Sequence, residues 1–453
     1  MRKSFRSMIF RALMIAILVP AGMCFAQTET TLHNFQGAPS DGSHPTDSLV
    51  ADKAGNLYGT TEYGGNGACS LNGSTGCGTV FELSPPATKG GAWSEKILYH
   101  FQGGNTGPDG NAPIGGLIFD RSGNLYGTTS GGGSTGNGTV FELNPPSSTN
   151  STWTEVVLYN FQGAPNDIAQ PAESMILDRS GNLFGTTFRG DGPYLYNCGA
   201  VFELQPPAVS GEAWTETVLH SFNGDQKTGI DGCWTVSGVI SDAVGNLYGT
   251  TNFGGTGNNG GTSLGVIYQL APPSTAGGIW TENFPYNFTE GSAGGGSGAA
   301  GLIHNSKGNL YGTTAAGGNQ ICDSRNGSAC GMVYQLSPPV PSGGSWTETT
   351  LYNFELANNS YWPIGSLILD PSGNLYGVTL NSVYKLLPPA IQGDPWTEKV
   401  LYSFPGGTYA NNPAAGVILS KSGLVGTTST GGTGPCSGTY PGCGTIYRVA
   451  LAH

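Results

Sequence analysis

The sequence predicts an all-β fold, a seven-bladed β-propeller of four-stranded blades whose ring is closed by the mature N-terminal strand. Three observations predict it: a short motif that returns seven times, four apolar segments around each copy, and two chain ends that complete one another.

The motif is GNLYGTT. It begins at Gly55, Gly123 and Gly245, with GNLFGTT at Gly181, a further copy at Gly308, GNLYGVT at Gly373 and a shortened GLVGTT at Gly423, at spacings of 50 to 68 residues. A fixed internal period is the signature of repeat architectures.

Each copy carries an aliphatic run before the Gly-Asn turn, the NLYGTT run itself, a GTVFEL run and a WTExxLYxF run. All are short, rich in β-branched and aromatic residues, and bounded by Gly, Pro, Asn or Ser, which is strand chemistry. No segment sustains a helical period. Four short strands per unit fit a propeller blade. Neighbouring blades cover both faces of each sheet, so runs such as VFEL are nearly continuous in apolar residues. The glycine inside NLYGTT marks a close backbone approach.

Thr28–Phe35 is a fourth-strand sequence with no blade before it, and Gly444–Val449 is a third strand with no fourth after it. Pairing the two closes the ring and removes two sheet edges.

Residues 1–26 have the pattern of an export signal: Arg2, Lys3, Arg6 and Arg11, an apolar run from about Ala12 to Val19, and Ala26 at the cut. Met23 disfavours lipid anchoring at Cys24. The expected organisation is a signal peptide over 1–26 and one propeller domain over 27–453, secreted, periplasmic or at the cell surface. Removing the signal takes four basic residues and changes the net charge from −12 to −16. An acidic chain disfavours nucleic acid. No later apolar run is long enough to span a membrane. The expectation is a monomer.

Eight mature cysteines remain. Cys69 and Cys77, Cys322 and Cys330, and Cys436 and Cys443 form close pairs in Gly-rich loops, which leaves Cys198 for Cys233. In an oxidising compartment these are four expected disulfides. Zinc would need CxxC-like spacing or histidine partners among them, so no metal and no cofactor are expected.

The loops joining second to third strands, and blade to blade, share one face of the ring. They are long, variable and hold every mature cysteine. Function on a rigid scaffold concentrates in such loops. The blade-to-blade turns carry Asp41, Asp109, Asp231 and Asn412, placed by this reasoning near the mouth of the central channel. His44, Tyr63, Trp234, Phe253, Tyr361, Trp362 and Tyr409 join them. Rings with amides and carboxylates suit a carbohydrate or peptide. Blade six lacks its second-to-third loop around Leu380-Asn381, which predicts a notch beside Tyr361 and Trp362.

Other patterns carry less. Gly255–Gly260 matches GxGxxG without a following helix, and Gly261–Gly265 matches GxSxG without a strand–turn–helix context. Glu95, Glu155, Glu216, Glu282, Glu348 and Glu398 open outer strands around the rim, where they do not converge on one site. Asp52, Asp120, Asp178, Asp242 and Asp370 precede the Gly-Asn turn as Asx-type turn residues. His33, His100 and His220 lie within fourth strands as packing residues.

The full unit resembles the GloVer tandem repeat of bacterial "choice-of-anchor" surface proteins over nearly all of residues 28–451. More loosely, it is similar to NHL-like and two-component-regulator sensory propeller repeats. The resemblance implies an exported repeat protein, often with a C-terminal sorting anchor. No such anchor follows the last strand here, and the family brings no catalytic residues to carry across. The expected function is a binding scaffold for a glycan, a peptide or a surface protein. The alternatives are a polysaccharide lyase or glycoside hydrolase, with Asp41, His44, Asp109 and Asp231 as acid/base candidates, and a purely structural envelope protein.

Overall fold

The computed structural model describes residues 27–451 except 72, 104–108, 149, 172, 192–197, 210, 224–230, 236, 256–263, 276, 289–294, 320, 324–327, 341–342, 357–359, 392, 405–412 and 437–440. The signal stretch therefore lies outside the described residues. So do the GxGxxG match beyond Gly255 and most of the GxSxG match.

The described residues form strands and turns, with no α-helix. Seven antiparallel sheets, blades one to seven, recur in the order of the sequence, and blades two to six end on the outer strands Thr154–Asn160, Thr215–Ser221, Thr281–Asn287, Thr347–Asn353 and Thr397–Ser403. In blade one, Val50–Ala51 pairs with Leu57–Thr61, which pairs with Thr79–Ser84, which pairs with Ser94–His100. The seventh blade is Ile418–Ser420, Gly423–Thr428 and Thr445–Val449, completed by Glu29–Asn34 from the other end of the chain. Glu29 sits opposite Val449 and Asn34 opposite Thr445. Fold class and ring closure are both as the sequence predicts.

The hydrophobic core lies between blades rather than inside one layer. One cluster joins Val80, Leu98 and Phe101 of blade one to Leu117, Leu125 and Phe141 of blade two. Another joins Leu32, Phe35 and Ile446 of blade seven to Leu49, Leu57 and Phe81 of blade one. This explains the continuous apolar runs: Leu57–Thr61 is buried at every position.

The motif glycine has a steric reason. The ring of the third strand lies across it, so that a Cβ on Gly127 would stand 2.5 Å from Phe141 Cζ and one on Gly59 2.7 Å from Phe81 Cζ. The Asx reading also holds. Asp52 accepts from the backbone N–H groups of Gly55 and Asn56 at 2.8 and 2.9 Å, and the pattern repeats at Asp120, Asp178, Asp242 and Asp370.

All four disulfides form as paired from the sequence: Cys69–Cys77, Cys198–Cys233, Cys322–Cys330 and Cys436–Cys443. Three staple a loop within one blade. Cys198–Cys233 crosses from blade three to the inner strand of blade four. Disulfides are consistent with an extracellular or periplasmic protein. Among the described residues, no helix is long and apolar enough to cross a membrane.

Candidate functional site at the channel rim

Five described residues other than glycine have left-handed backbone: His44 (φ 57°), Ala112 (51°), Gln170 (59°), Trp234 (58°) and Trp362 (55°). They occupy one repeat position, at the entry to the innermost strand of blades one, two, three, four and six. Such a conformation is disfavoured for any residue with a Cβ, most of all a bulky one.

One hydrogen bond accompanies it each time. The N–H of the residue donates across the seam to the blade before. The acceptors are the carbonyls of Cys443 for His44, Cys77 for Ala112, Asn137 for Gln170, Cys198 for Trp234 and Cys330 for Trp362, at 2.7 to 3.0 Å. Four of the five acceptors are disulfide cysteines. The crosslinked loops thus buttress the residues that ring the channel.

Aromatic partners pack on this ring. His44 meets Tyr63 edge-on at 5.3 Å between centroids, and Tyr361 meets Trp362 at 5.2 Å. Trp234 lies between Phe253 at 5.1 Å and Phe188, stacked at 5.5 Å. The Trp362 indole N–H donates to the Ala329 carbonyl at 3.1 Å, fixing the ring plane. Phe188 is exposed, and no sequence feature set it apart from its neighbours. Blade six turns from Thr379 to Ser382 through Leu380-Asn381 alone, and the Leu380 N–H donates to the Trp362 carbonyl.

Two or three residues beyond the rim, the innermost strands line the channel, a cavity of about 690 Å³ walled by all seven blades. Asp47, Glu62 and Glu173 are its acidic residues. Asp47 braces three blades. It accepts from the Ser174 hydroxyl at 2.8 Å and from the Gly116 and Ser48 N–H groups. Burial raises the Asp47 carboxyl above its ordinary range, against these hydrogen bonds. Burial raises Glu173 further, and the neighbouring Asp47 charge adds to it. Burial lowers His44, keeping its imidazole neutral at neutral pH. Asp47 and Glu173 occupy one repeat position, two residues before the aliphatic run, where the other blades carry Gly115, Ser237, Ala300, Gly365 and Ala415; the signal was an acidic residue at a small-residue position, just outside the four apolar segments.

The Asp-Gly turns lie elsewhere than expected. Asp41, Asp109 and Asp231 face the outermost strands, not the channel mouth. Each carboxylate caps its own loop, Asp41 accepting from Gln36 and Gly42 N–H, and then meets the outer-strand residue of its blade. That residue is Tyr99 for Asp109, at 2.7 Å, and a histidine for Asp41 and Asp231. The four acid/base candidates therefore do not converge. Four of the outer-strand glutamates are more than strand starts, because each lies beside a loop aspartate. Glu95, Glu155, Glu216 and Glu282 are each pushed up to about 7, first by burial and then by the loop aspartate beside them. Tyr409 and Asn412 lie outside the described residues.

Solved structures share this architecture. Virginiamycin B lyase from Staphylococcus aureus aligns at a TM-score of 0.50 and 12% identity, covering 94% of this chain and 99% of the lyase. The extracellular domain of a hybrid two-component system from B. thetaiotaomicron aligns at 0.50 and 12%, over 93% of this chain and 41% of that one. At such identities the likeness shows the fold alone. No curated protein matches the sequence. Residues 66–275, from the first blade into the fourth, match the Gloeobacter/Verrucomicrobia repeat.

Proposed function

We propose that the protein is an exported binding propeller that takes a neutral glycan at the channel rim of its long-loop face. One observation carries the reading. His44, Trp234 and Trp362 place three rings at the strained backbone position that five blades share, each held by a hydrogen bond to a disulfide-bearing loop. Strain of this kind concentrates at ligand clamps. Aromatic faces cover the apolar faces of sugars, while nearby carboxyls and a neutral imidazole take hydroxyl hydrogen bonds. A chain this acidic repels acidic polymers. The tight turn of blade six leaves the approach beside Tyr361 and Trp362 uncrowded.

The test is thermal unfolding of the oxidised protein against soluble glycans and peptides. A ligand at a hundred times its Kd adds about 2.7 kcal/mol. Stabilisation by one class of neutral glycan supports the reading. Stabilisation by peptides alone replaces it with a peptide-binding one, and no shift with any member overturns it.

A further inference from the structure

We infer that two of the seven seams between blades, at His33–Asp41–Glu95 and at His220–Asp231–Glu282, are binding sites for a divalent transition-metal ion of the zinc class. The seams lie at the outer edge of the ring, apart from the channel rim, and the inference does not depend on the glycan reading.

Four of the seven seams, those after blades seven, one, two and three, are built alike. The outer strand ends in a Leu-Tyr-x-Phe or Leu-His-x-Phe unit, and a bulge there shifts the register against the third strand, as between Val80 and Phe81 or Thr31 and His33. Bulges re-aim side chains. The Tyr or His thus meets the aspartate of the next blade-to-blade loop, and a glutamate comes from the outer strand of the following blade. Backbone N–H groups orient the aspartate beforehand, those of Gln36 and Gly42 for Asp41 and those of Asn223 and Gly232 for Asp231.

With tyrosine, the seam closes on itself. Tyr99 and Tyr159 hydroxyls donate to Asp109 and Asp167 at 2.7 and 2.9 Å. With histidine, it stays looser. His33 Nε2 stands 3.5 Å from Asp41 Oδ2; His220 Nε2 stands 3.3 Å from Asp231 Oδ1 and 3.2 Å from Glu282 Oε1. His33 Nε2 and Glu95 Oε1 are buried without a hydrogen-bond partner. In both seams all three donor atoms lie within 4.8 Å of one another.

The three histidine–carboxylate separations of 3.2 to 3.5 Å suit a shared ion. Metal–ligand bonds of about 2.0–2.2 Å in a tetrahedron set ligand atoms about 3.3–3.6 Å apart. One imidazole nitrogen and two carboxylates favour zinc over calcium or magnesium, which take all-oxygen shells of six or more. The fourth position stays open to water. His33 lies on the strand that closes the ring, so an ion there ties blade seven to blade one, and the second ties blade three to blade four.

The experiment is zinc binding to the untagged, oxidised, chelator-stripped protein, by calorimetry and metal analysis after dialysis. His33→Tyr and His220→Tyr are the variants, because tyrosine fills the equivalent slot in other seams and the fold accepts it there. The expected result is two zinc ions per chain and a higher Tm with zinc. Each single variant loses one ion, and the double variant loses both at an unchanged metal-free Tm. The affinity lost at a seam is on the order of 100-fold or more, since even outer-shell partners are worth 10- to 100-fold. Stoichiometric binding that survives in the double variant, no binding by the wild type, or preference for calcium over zinc would each overturn the inference. Should a tyrosine variant misfold, Glu282→Gln and Glu95→Gln give the same reading.

Discussion

Trp234 of blade four and Trp362 of blade six share one backbone conformation, φ 58° and 55°, and one hydrogen bond, each N–H donating to a disulfide cysteine of the preceding blade, Cys198 and Cys330. The side chains matter to the surface while the backbone they sit on is strained. Trp362→Gly should therefore be more stable than Trp362→Ala by about 1 kcal/mol, since glycine alone adopts this conformation at no cost. Denaturant unfolding of the two variants decides it; an equal or lower stability for the glycine variant contradicts the strain.

The Cys198–Cys233 bridge spans 35 residues, against 8 for Cys69–Cys77. On the chain-entropy account, removing the first costs about 4 kcal/mol and the second about 2.5 kcal/mol. Paired Cys→Ala variants measured side by side should keep that order. Loss of the longer bridge should also weaken ligand binding, because it frees the loop beneath Trp234.

Gly127 lies under the Phe141 ring. Gly127→Ala forces a Cβ to 2.5 Å from Phe141 Cζ, and overpacking of this kind costs about 1–3 kcal/mol. The same substitution at Gly73 meets nothing within 4 Å. Its φ of +83° still carries a backbone cost. A paired Phe141→Leu change should recover part of the loss at Gly127 and none at Gly73.

Glu155 and Glu216 give a pH signature. Both carboxyls are raised to about 7 from an ordinary 4.5. Between those values the folded chain holds protons that the unfolded chain has released. Their contribution is complete below about pH 4.5 and is lost as pH rises through 7. A Glu155→Gln/Glu216→Gln variant, which mimics the protonated form, should unfold a few degrees above the wild type at pH 8 and with it at pH 5. A gain of equal size at both values would contradict the assignment.

The ring was legible because its evidence is periodic. Seven GNLYGTT copies, the orphan strand at Thr28–Phe35, the cysteine pairs and the Asp52-type turns each follow from local chemistry repeated along the chain. The site was legible in part. His44, Trp234 and Trp362 stood out as aromatic or titratable residues in variable loops, but their common left-handed backbone has no signature in residue type. Asp41 and Asp109 read as channel residues because their loops enter the innermost strand. The carboxylates instead fold back to cap the loop and meet the outer strand, a direction fixed by backbone donors such as Gln36 N–H. His33 and His220 passed as packing residues. The signal was present, since each replaces the tyrosine of LYxF, but its meaning depended on the Glu of the next blade.

The most direct test of the central claim is calorimetric titration of the stabilising glycan into wild type and into Trp234→Ala/Trp362→Ala, with Tm measured on both. The expected result is a loss of about 30-fold or more in affinity, the scale of a binding hot spot, in a protein that still unfolds cooperatively. An unchanged Kd in the folded double variant would place binding elsewhere on the molecule and contradict it.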